Sequence, residues 1–339
     1  MWLDALDSSG RSPLALAVAR RNESPTAYKL FPDSLLIALM PPSLSKKRCF
    51  DYDTDLHSSI RSVLYKIIEP SLTCSSELST LHTLPKVQQL LQLHTDLSLR
   101  PAHAGRMIYN KRYRTADLSS LGFRSALGLF VDGVLAPLLY GRPSGGPLVY
   151  QSEPTLRVQF PGQPSIGRAH IDYGYGRQAG EVNCWLPITR VGPGNTLHAE
   201  TTPGGKDFEP FEADWGTAVL FWGSQCEHHS EENDGKIGTR VSLDFRIIRE
   251  DHFIKYYVPP NRLQAKGEVE DDHFANMKIG EHYTTTLIER EWRESQEAKK
   301  GADAETPPPP PPLTTKDSSV DINPLHVVEL QDAKQCSLS

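Results

Sequence analysis

The stretch Thr239-Arg-Val-Ser-Leu-Asp-Phe-Arg-Ile247 alternates polar and apolar side chains without a break. Successive side chains of a strand point to opposite faces, so Val241, Leu243 and Phe245 share one face of an extended chain. The opposite face carries the polar residues Arg240, Ser242, Asp244 and Arg246. One apolar face and one polar face are typical of a strand in an antiparallel sheet that covers a core on one side.

Further β-rich runs, separated by Gly, Pro and Asn turns, precede this strand. We expect strands at Thr155–Phe160, His170–Asp172, Glu181–Leu186, Thr196–Glu200 and Thr217–Trp222. Many short strands with such turns indicate an antiparallel sandwich or barrel. Upstream, helical spacing of apolar residues predicts a helix over Ser75–Leu91 and another from Thr115 or Asp117 to the turn at Gly141. The predicted fold class is therefore mainly β with flanking helices, of the α+β type.

The sequence predicts three regions. Residues 1–144 form a helical N-terminal extension that packs on the core, residues 145–297 form the sheet domain, and residues 298–339 form a disordered, proline-rich tail. The segment that begins at Gly10 resembles the first helix of one ankyrin repeat, but no second copy follows, which favours a single amphipathic helix. The run Pro307–Pro312 predicts an extended polyproline segment, either a spacer or a ligand for a polyproline-binding partner.

Charge and cysteine content limit the kinds of binding partner and the cellular compartment that the sequence predicts. The net charge of the 339 residues is −6. The segment from Gly301 onward contributes −4 of it, because it contains six acidic and two basic residues. A nearly neutral body predicts neither nucleic-acid nor membrane binding. The five cysteines are widely spaced and include no CxxC pair, which favours a reducing, cytoplasmic compartment. We see no signal peptide, and Gly and Pro residues interrupt the longest apolar stretch, Ala126–Tyr140.

A candidate metal site begins with Arg168-Ala-His170-Ile-Asp172-Tyr173. On an extended chain His170 and Asp172 point to the same side, so an imidazole and a carboxylate are presented together. A third ligand from a distant strand would complete a facial triad for non-haem iron with open coordination positions. Two of these can take a 2-oxo acid and the last can take dioxygen. Downstream, the adjacent His228 and His229 offer this third ligand, and only one of them can face the same side.

Beyond the histidines, Arg240 and Ser242 lie two residues apart on one strand face. A guanidinium and a hydroxyl in this arrangement can hold the distal carboxylate of 2-oxoglutarate. Arg246 is the alternative guanidinium on the same face. The order H-x-D, then His, then R-x-S is much more specific than any one of these pieces.

These motifs, together with His170–Pro187 and Asn195–Gly204, resemble iron(II)/2-oxoglutarate dioxygenases. The nearest group is typified by bacterial streptomycin-biosynthesis proteins and is related to phytanoyl-CoA dioxygenases. The resemblance covers roughly residues 150–250. It implies a double-stranded β-helix, also called a jelly roll or cupin-like fold, with Fe²⁺, 2-oxoglutarate and O₂ as cofactor and co-substrates. Asn233 lies five positions after His228, as in the family pattern, and therefore favours His228 over His229 as the ligand.

The resemblance implies an oxidoreductase that hydroxylates a small-molecule substrate and forms succinate and CO₂. Tyr173, Tyr175 and Asn183 are candidates for the substrate pocket, whereas His198, Trp185 and Trp222 are more consistent with packing and Cys184 and Cys226 with the core. Two other interpretations stay open. One is a non-catalytic jelly-roll interaction module, and the other is a cupin-like metalloenzyme that does not use 2-oxoglutarate.

Overall fold

The computed structural model describes residues 6–24, 26–68, 75–96, 109, 111–165, 168–255, 257 and 278–305. The chain divides into two compact units, Met1–Ser295 and Gln296–Ser339. Of the second unit only residues 296–305 are described, as part of a helix. The proline run Pro307–Pro312 therefore lies outside the described residues.

In the described residues, ten strands form two antiparallel sheets. The strands are β1 (Arg48–Asp51), β2 (Leu148–Gln151), β3 (Thr155–Gln159), β4 (Val182–Pro187), β5 (Leu197–Glu200), β6 (Phe208–Pro210), β7 (Thr217–Phe221), β8 (His228–Ser230), β9 (Arg240–Arg249) and β10 (Tyr283–Thr285). The large sheet has the order β1-β7-β4-β9-β2-β10, with β3 also paired to β9, and the small sheet has the order β6-β5-β8. The fold is a double-stranded β-helix with flanking helices, and this confirms the predicted fold class.

Strand β9 is the centre of the large sheet because it pairs with β4 along one edge and with both β3 and β2 along the other. Its apolar residues Val241, Leu243 and Phe245 belong to the larger core cluster, which also includes helical residues from the first 144 positions. Its polar residues lie on the opposite face. A smaller apolar cluster on that side consists of Trp185, Val191, Ala199, Phe211, Val219 and Phe221, drawn from strands of both sheets and their connections.

Nine α-helices accompany the two sheets in the described part of the chain. They are α1 (Pro13–Arg21), α2 (Asp33–Ala38), α3 (Pro42–Ser45), α4 (Ser58–Ile68), α5 (Pro85–Asp96), α6 (Lys111–Thr115), α7 (Phe123–Phe130), α8 (Ala136–Tyr140) and α9 (Thr286–Glu305). Helix α1 begins after Ser12, whose hydroxyl accepts a hydrogen bond from the Ala15 amide at 3.1 Å. It contributes Leu14 and Val18 to the larger cluster. The helical segment therefore shares one core with the sheet.

One helical stretch, Phe123–Tyr140, is long and apolar enough to cross a membrane by length and composition, and half of it is buried within the protein. It combines α7, a π-helical turn at Val131–Leu135 and α8. Several of its residues lie in the larger core cluster. A buried core helix can be as long and as apolar as a membrane span, so this finding is only weak support for a membrane span.

Several local predictions differ from the structure. The predicted helix over Ser75–Leu91 is a 3₁₀-helix, Ser75–Thr83, followed by α5, because Pro85 has no amide hydrogen and starts a new helix. The helix expected from Thr115 or Asp117 begins only at Phe123, after Gly122 adopts a φ of 82°. It does end at Gly141, whose φ of 64° closes the last turn.

Three other differences concern strands and boundaries. The expected strand His170–Asp172 is wrong: His170 makes an isolated bridge, and Asp172 begins a 3₁₀ turn that ends at Gly176. The segment expected to be purely helical contributes β1, which pairs with β7 far along the chain. Helix α9 runs to Glu305, past the expected start of the tail at residue 298.

The shared core makes a testable prediction about stability. Leu64 on α4 is 0% exposed within the larger cluster. Replacing it with alanine removes buried methyl groups and leaves a cavity, so we expect Leu64→Ala to lower the free energy of unfolding by about 2–5 kcal/mol. Leu56 is 72% exposed, and Leu56→Ala is the control, expected to change stability by no more than about 0.5 kcal/mol. Denaturant unfolding measures both. Equal, small effects would contradict a core shared by helices and sheet.

Candidate functional site

A short antiparallel bridge brings the two candidate histidine ligands together. The amide of His170 donates to the carbonyl of His228 at 3.1 Å, and the amide of His228 donates back at 2.9 Å. Residues opposed in this way have adjacent side chains, and the ring centroids are 4.5 Å apart. Ile171 is extended, so Asp172 returns to the same side as His170. His170 and Asp172 therefore point to the same side, as the H-x-D motif predicts, although this segment is not a regular strand.

The three side chains form a group that could hold one metal ion. One donor atom from each of His170, Asp172 and His228 lies within 4.8 Å of the others. Asp172 Oδ1 is 3.6 Å from Nε2 of His170 and 3.8 Å from Nε2 of His228. Two imidazoles and one carboxylate are the donor set of non-haem iron sites that keep open positions.

Each histidine is oriented by the backbone next to it. Nδ1 of His170 is 2.8 Å from the Arg168 carbonyl, and Nδ1 of His228 is 3.1 Å from the Cys226 carbonyl. A carbonyl only accepts, so Nδ1 donates in both cases and Nε2 carries the lone pair that a metal needs. His229 faces the other way and stacks on His198, with ring centroids 5.4 Å apart. Of the twin histidines, only His228 joins the candidate ligand group.

The carboxylate of Asp172 is held by its second oxygen. Oδ2 accepts hydrogen bonds from Asn183 at 2.7 Å and from Nε and Nη2 of Arg246 at 3.0 and 2.8 Å. Oδ1 is left facing the histidines. Burial by itself raises the pKa of Asp172, but the Arg246 charge and the hydrogen bonds outweigh it and hold that pKa well below its usual range. Burial lowers the pKa of His228, which favours the neutral imidazole that metal binding requires.

The structure distinguishes the two arginines that the sequence left as alternatives. Arg246 donates to Asp172, and its Nη1 lies 3.2 Å from Asp244 Oδ2, so carboxylates of the chain already occupy its guanidinium. Arg240 is 2% exposed, and one nitrogen, Nη1, donates to the Asn195 carbonyl at 3.0 Å. Within the described part of the chain, Arg240 Nε and the hydroxyl of Ser242 are buried without a hydrogen-bond partner.

Arg240 is thus a buried cation without an ion-pair partner among the described residues. Burial, followed by the nearby charge of Arg157, lowers the pKa of Arg240 to about 9, so the guanidinium still carries its charge at neutral pH. Burying an unpaired charge is costly. A ligand carboxylate placed against Arg240 and Ser242 would relieve both unsatisfied groups.

Two cavities adjoin the triad. A small one of about 50 Å³ has a wall that includes His170, His228, Arg240, Trp185 and Phe221. A larger one of about 730 Å³ has a wall that includes His170, Asp172 and Tyr175. His170, Arg157 and Arg246 line both. The candidate metal site therefore lies between a small space that includes Arg240 and a larger space suited to a small molecule.

The candidate pocket residues have different surroundings. Tyr175 is 58% exposed and packs edge-on against His170, with centroids 5.1 Å apart. The hydroxyl of Tyr173 instead donates to Asp33 at 2.9 Å, and Tyr173 is absent from the walls of the two cavities as the described residues define them. Asn183 binds Asp172. Trp185 lies in the smaller apolar cluster and Trp222 in the larger one.

Sequence reasoning missed Arg157 and Arg177, which both line the larger cavity. Arg157 could have been found, because it alternates with apolar Leu156 and Val158 on a predicted strand. It lies opposite Ser242 in the sheet register. Arg177 follows a turn, where no periodicity indicates which way a side chain points.

The orientation of the twin histidines makes the second prediction. We expect His228→Ala to abolish stoichiometric iron(II) binding, because it removes one of three ligands. His229→Ala should retain binding, since this ring stacks on His198 outside the triad. Anaerobic calorimetric titration with iron(II) measures both variants. Binding that survives in the first variant and disappears in the second would reverse the assignment.

The third prediction concerns Arg246. We expect Arg246→Gln to weaken iron(II) affinity by about 10- to 100-fold, because groups that orient a ligand typically contribute this much. Arg249 lies on the same strand, and its guanidinium pairs with Asp251 at 2.6 Å. Arg249→Gln is the matched control and should leave the affinity unchanged. Equal iron affinity in wild type and Arg246→Gln would show that Arg246 does not position Asp172.

Comparison with known proteins gives one sequence relative. No family model matches the chain. The streptomycin biosynthesis protein StrG of Streptomyces griseus is 36% identical over 98 residues, which cover 29% of this chain and 45% of that protein. The chain thus spans less than half the length of this curated relative.

Solved structures match with low scores. A non-heme monooxygenase, the ThoJ–Ni complex, has a TM-score of 0.36 and 11% identity, covering 61% of this chain and 75% of that one. An oxidoreductase of the 2OG-Fe(II) oxygenase family from Burkholderia pseudomallei has a TM-score of 0.30 and 16% identity, covering 38% and 57%. These values are too low to support an argument. The similarity to StrG confirms the resemblance to the streptomycin-biosynthesis group that the motifs indicated.

Proposed function

We propose that the chain is an iron(II)- and 2-oxoglutarate-dependent dioxygenase that hydroxylates a small molecule and releases succinate and CO₂. One observation carries the proposal. Both histidines of an oriented His-Asp-His group line one small cavity together with the buried Arg240, which has no ion-pair partner among the described residues. Iron and 2-oxoglutarate, when bound, supply the oxidising chemistry with dioxygen. The chain would bind and orient iron and 2-oxoglutarate, and it would exclude water from the site.

His170, Asp172 and His228 would hold iron through Nε2, Oδ1 and Nε2, the atoms that their other hydrogen bonds leave available. Arg240 and Ser242 would hold the distal carboxylate of 2-oxoglutarate, because the guanidinium provides Nε and the hydroxyl a further donor. The apolar side chains of Trp185, Leu197 and Phe221 line the same small cavity and limit access of water. The larger cavity would receive the substrate.

Two other functions account for less of the geometry. A non-catalytic jelly-roll module has no need for a buried, unpaired arginine beside an oriented ligand group. A cupin-like metalloenzyme without 2-oxoglutarate would use the triad but not Arg240 and Ser242. Iron-dependent conversion of 2-oxoglutarate to succinate separates all three, and we expect it in the purified chain.

Arg240 gives the fourth prediction. Arg240→Ala leaves a bound carboxylate without its buried counter-charge, which typically costs about 2–5 kcal/mol, or roughly 30- to several-thousand-fold in affinity. We expect this loss in the dissociation constant of 2-oxoglutarate, measured anaerobically with iron by calorimetry. Arg240→Lys should recover only part of it, because an ammonium cannot form the planar two-donor fork.

The control and the iron titration make this test specific. Arg249→Ala, on the same strand, should leave the 2-oxoglutarate constant unchanged, and iron affinity of Arg240→Ala should equal that of wild type. If Arg240→Ala binds 2-oxoglutarate normally and Arg246→Ala does not, even when it is saturated with iron, the clamp is Arg246. If neither variant loses affinity, the cupin-like alternative becomes the better account.

A further inference from the structure

The larger cavity has an uneven distribution of charge on its wall. Four arginines line it, Arg114, Arg157, Arg177 and Arg246, against two carboxylates, Glu153 and Asp172. Arg246 and Asp172 form an ion pair at 2.8 Å and neutralise each other. The remaining charged wall residues are Arg114, Arg157, Arg177 and Glu153, and Arg157 also has an ion-pair partner outside this wall, Asp244. A cavity lined by one sign of charge concentrates ions of the opposite sign.

Arg177 is fixed from behind. Its Nη1 donates to the hydroxyl of Tyr283 at 3.0 Å and lies 2.6 Å from Nε2 of His282. The Tyr283 hydroxyl in turn donates to Glu181 at 2.8 Å. Glu181 is buried behind this phenol, and burial raises the pKa of Glu181 although the nearby charge of Arg177 opposes this shift. Arg177 is therefore held in place at the wall of the larger cavity.

Arg157 comes from a different element, β3, and lines both cavities. Its Nη2 is 3.7 Å from Asp244 Oδ2, a longer distance than that between Asp244 and Arg246. Asp244 is therefore shared between two arginines. Two guanidinium groups from separate elements thus line the same cavity, beside the candidate metal ligands.

We propose that the larger cavity binds its ligand through an anionic group, a carboxylate or a phosphate, held by Arg177 and Arg157. If the proposed oxygenase function is correct, its substrate is an acidic small molecule. Guanidinium groups suit this role because their planar N–H donors can form two parallel hydrogen bonds to a carboxylate or to a phosphate. The volume of about 730 Å³ lies in the usual range for small-molecule sites.

The test uses three probes that share a benzene ring and differ in charge: benzoate, phenyl phosphate and neutral benzamide. Calorimetric titration of the full chain, without metal and again with iron(II) and 2-oxoglutarate under anaerobic conditions, measures their affinities. We expect at least one anion to bind roughly ten-fold or more tightly than benzamide in both states. The ranking of benzoate and phenyl phosphate identifies which anion the site prefers.

Variants locate the binding. Arg177→Gln and Arg157→Gln should each reduce the preference for the anionic probes over benzamide. The melting temperature of each variant shows whether it folds, and if one does not, the other still provides the test. Arg20 is exposed and pairs only with Glu23 in the part of the chain that is described, and Arg20→Gln should keep the full preference.

Equal affinity for all three probes would overturn the inference. So would a preference that survives in both cavity variants, or one that only Arg240→Gln removes, because the anion would then occupy the small cavity. The metal-free titration is independent of the proposed function. Failure to bind 2-oxoglutarate with retained anion preference would overturn that function alone.

Discussion

The candidate site depends on the buried ion pair between Asp172 and Arg246. Removing two charges from water costs several kcal/mol for each ion, and mutual attraction repays this only when further hydrogen bonds satisfy the remaining atoms. Here Asn183 binds the same carboxylate oxygen, and Asp244 binds the other end of the guanidinium. The pair therefore fixes one carboxylate oxygen within the large sheet and leaves the other directed at His170 and His228.

An apolar cluster that includes Trp185, Phe211 and Phe221 lies beside this site. Phe221 packs edge-on against the ring of His228, with centroids 5.2 Å apart. Gly223 shows how closely this region is packed, since a Cβ at this position would lie 2.7 Å from the side-chain amide of Asn183. A side chain there would displace the asparagine that supports Asp172.

Much of this could be predicted from local sequence, and the exceptions have physical causes. The alternation along Arg240–Ile248 correctly predicts which face of β9 is apolar, because the period of a strand is fixed by its backbone. The same alternation puts Arg240 and Arg246 on one face and cannot distinguish them. Their roles follow from partners distant in sequence, Asp172 for one and Asn195 for the other.

Strand β1 and the turn at Asp172 were missed for a related reason. Four residues, Arg48–Asp51, are too few to establish a period, and their pairing with β7 is a contact across more than 160 positions. The extended segment before Asp172 ends because glycines follow at positions 174 and 176 and the chain turns. The candidate ligand group needs only an extended residue between His170 and Asp172 and a bridge to His228, so it forms although the predicted strand does not.

The bridge between His170 and His228 has a consequence for the lifetime of the protein. His228 lies on β8 of the small sheet, whereas Arg246 and Asn183, on the large sheet, hold Asp172. A metal shared by these ligands is a cross-link between the two sheets. A ligand that binds only the folded state stabilises it by about 2.7 kcal/mol at one hundred times its dissociation constant. If the triad binds iron as proposed, removal of iron would therefore make the chain easier to unfold and to digest with a protease.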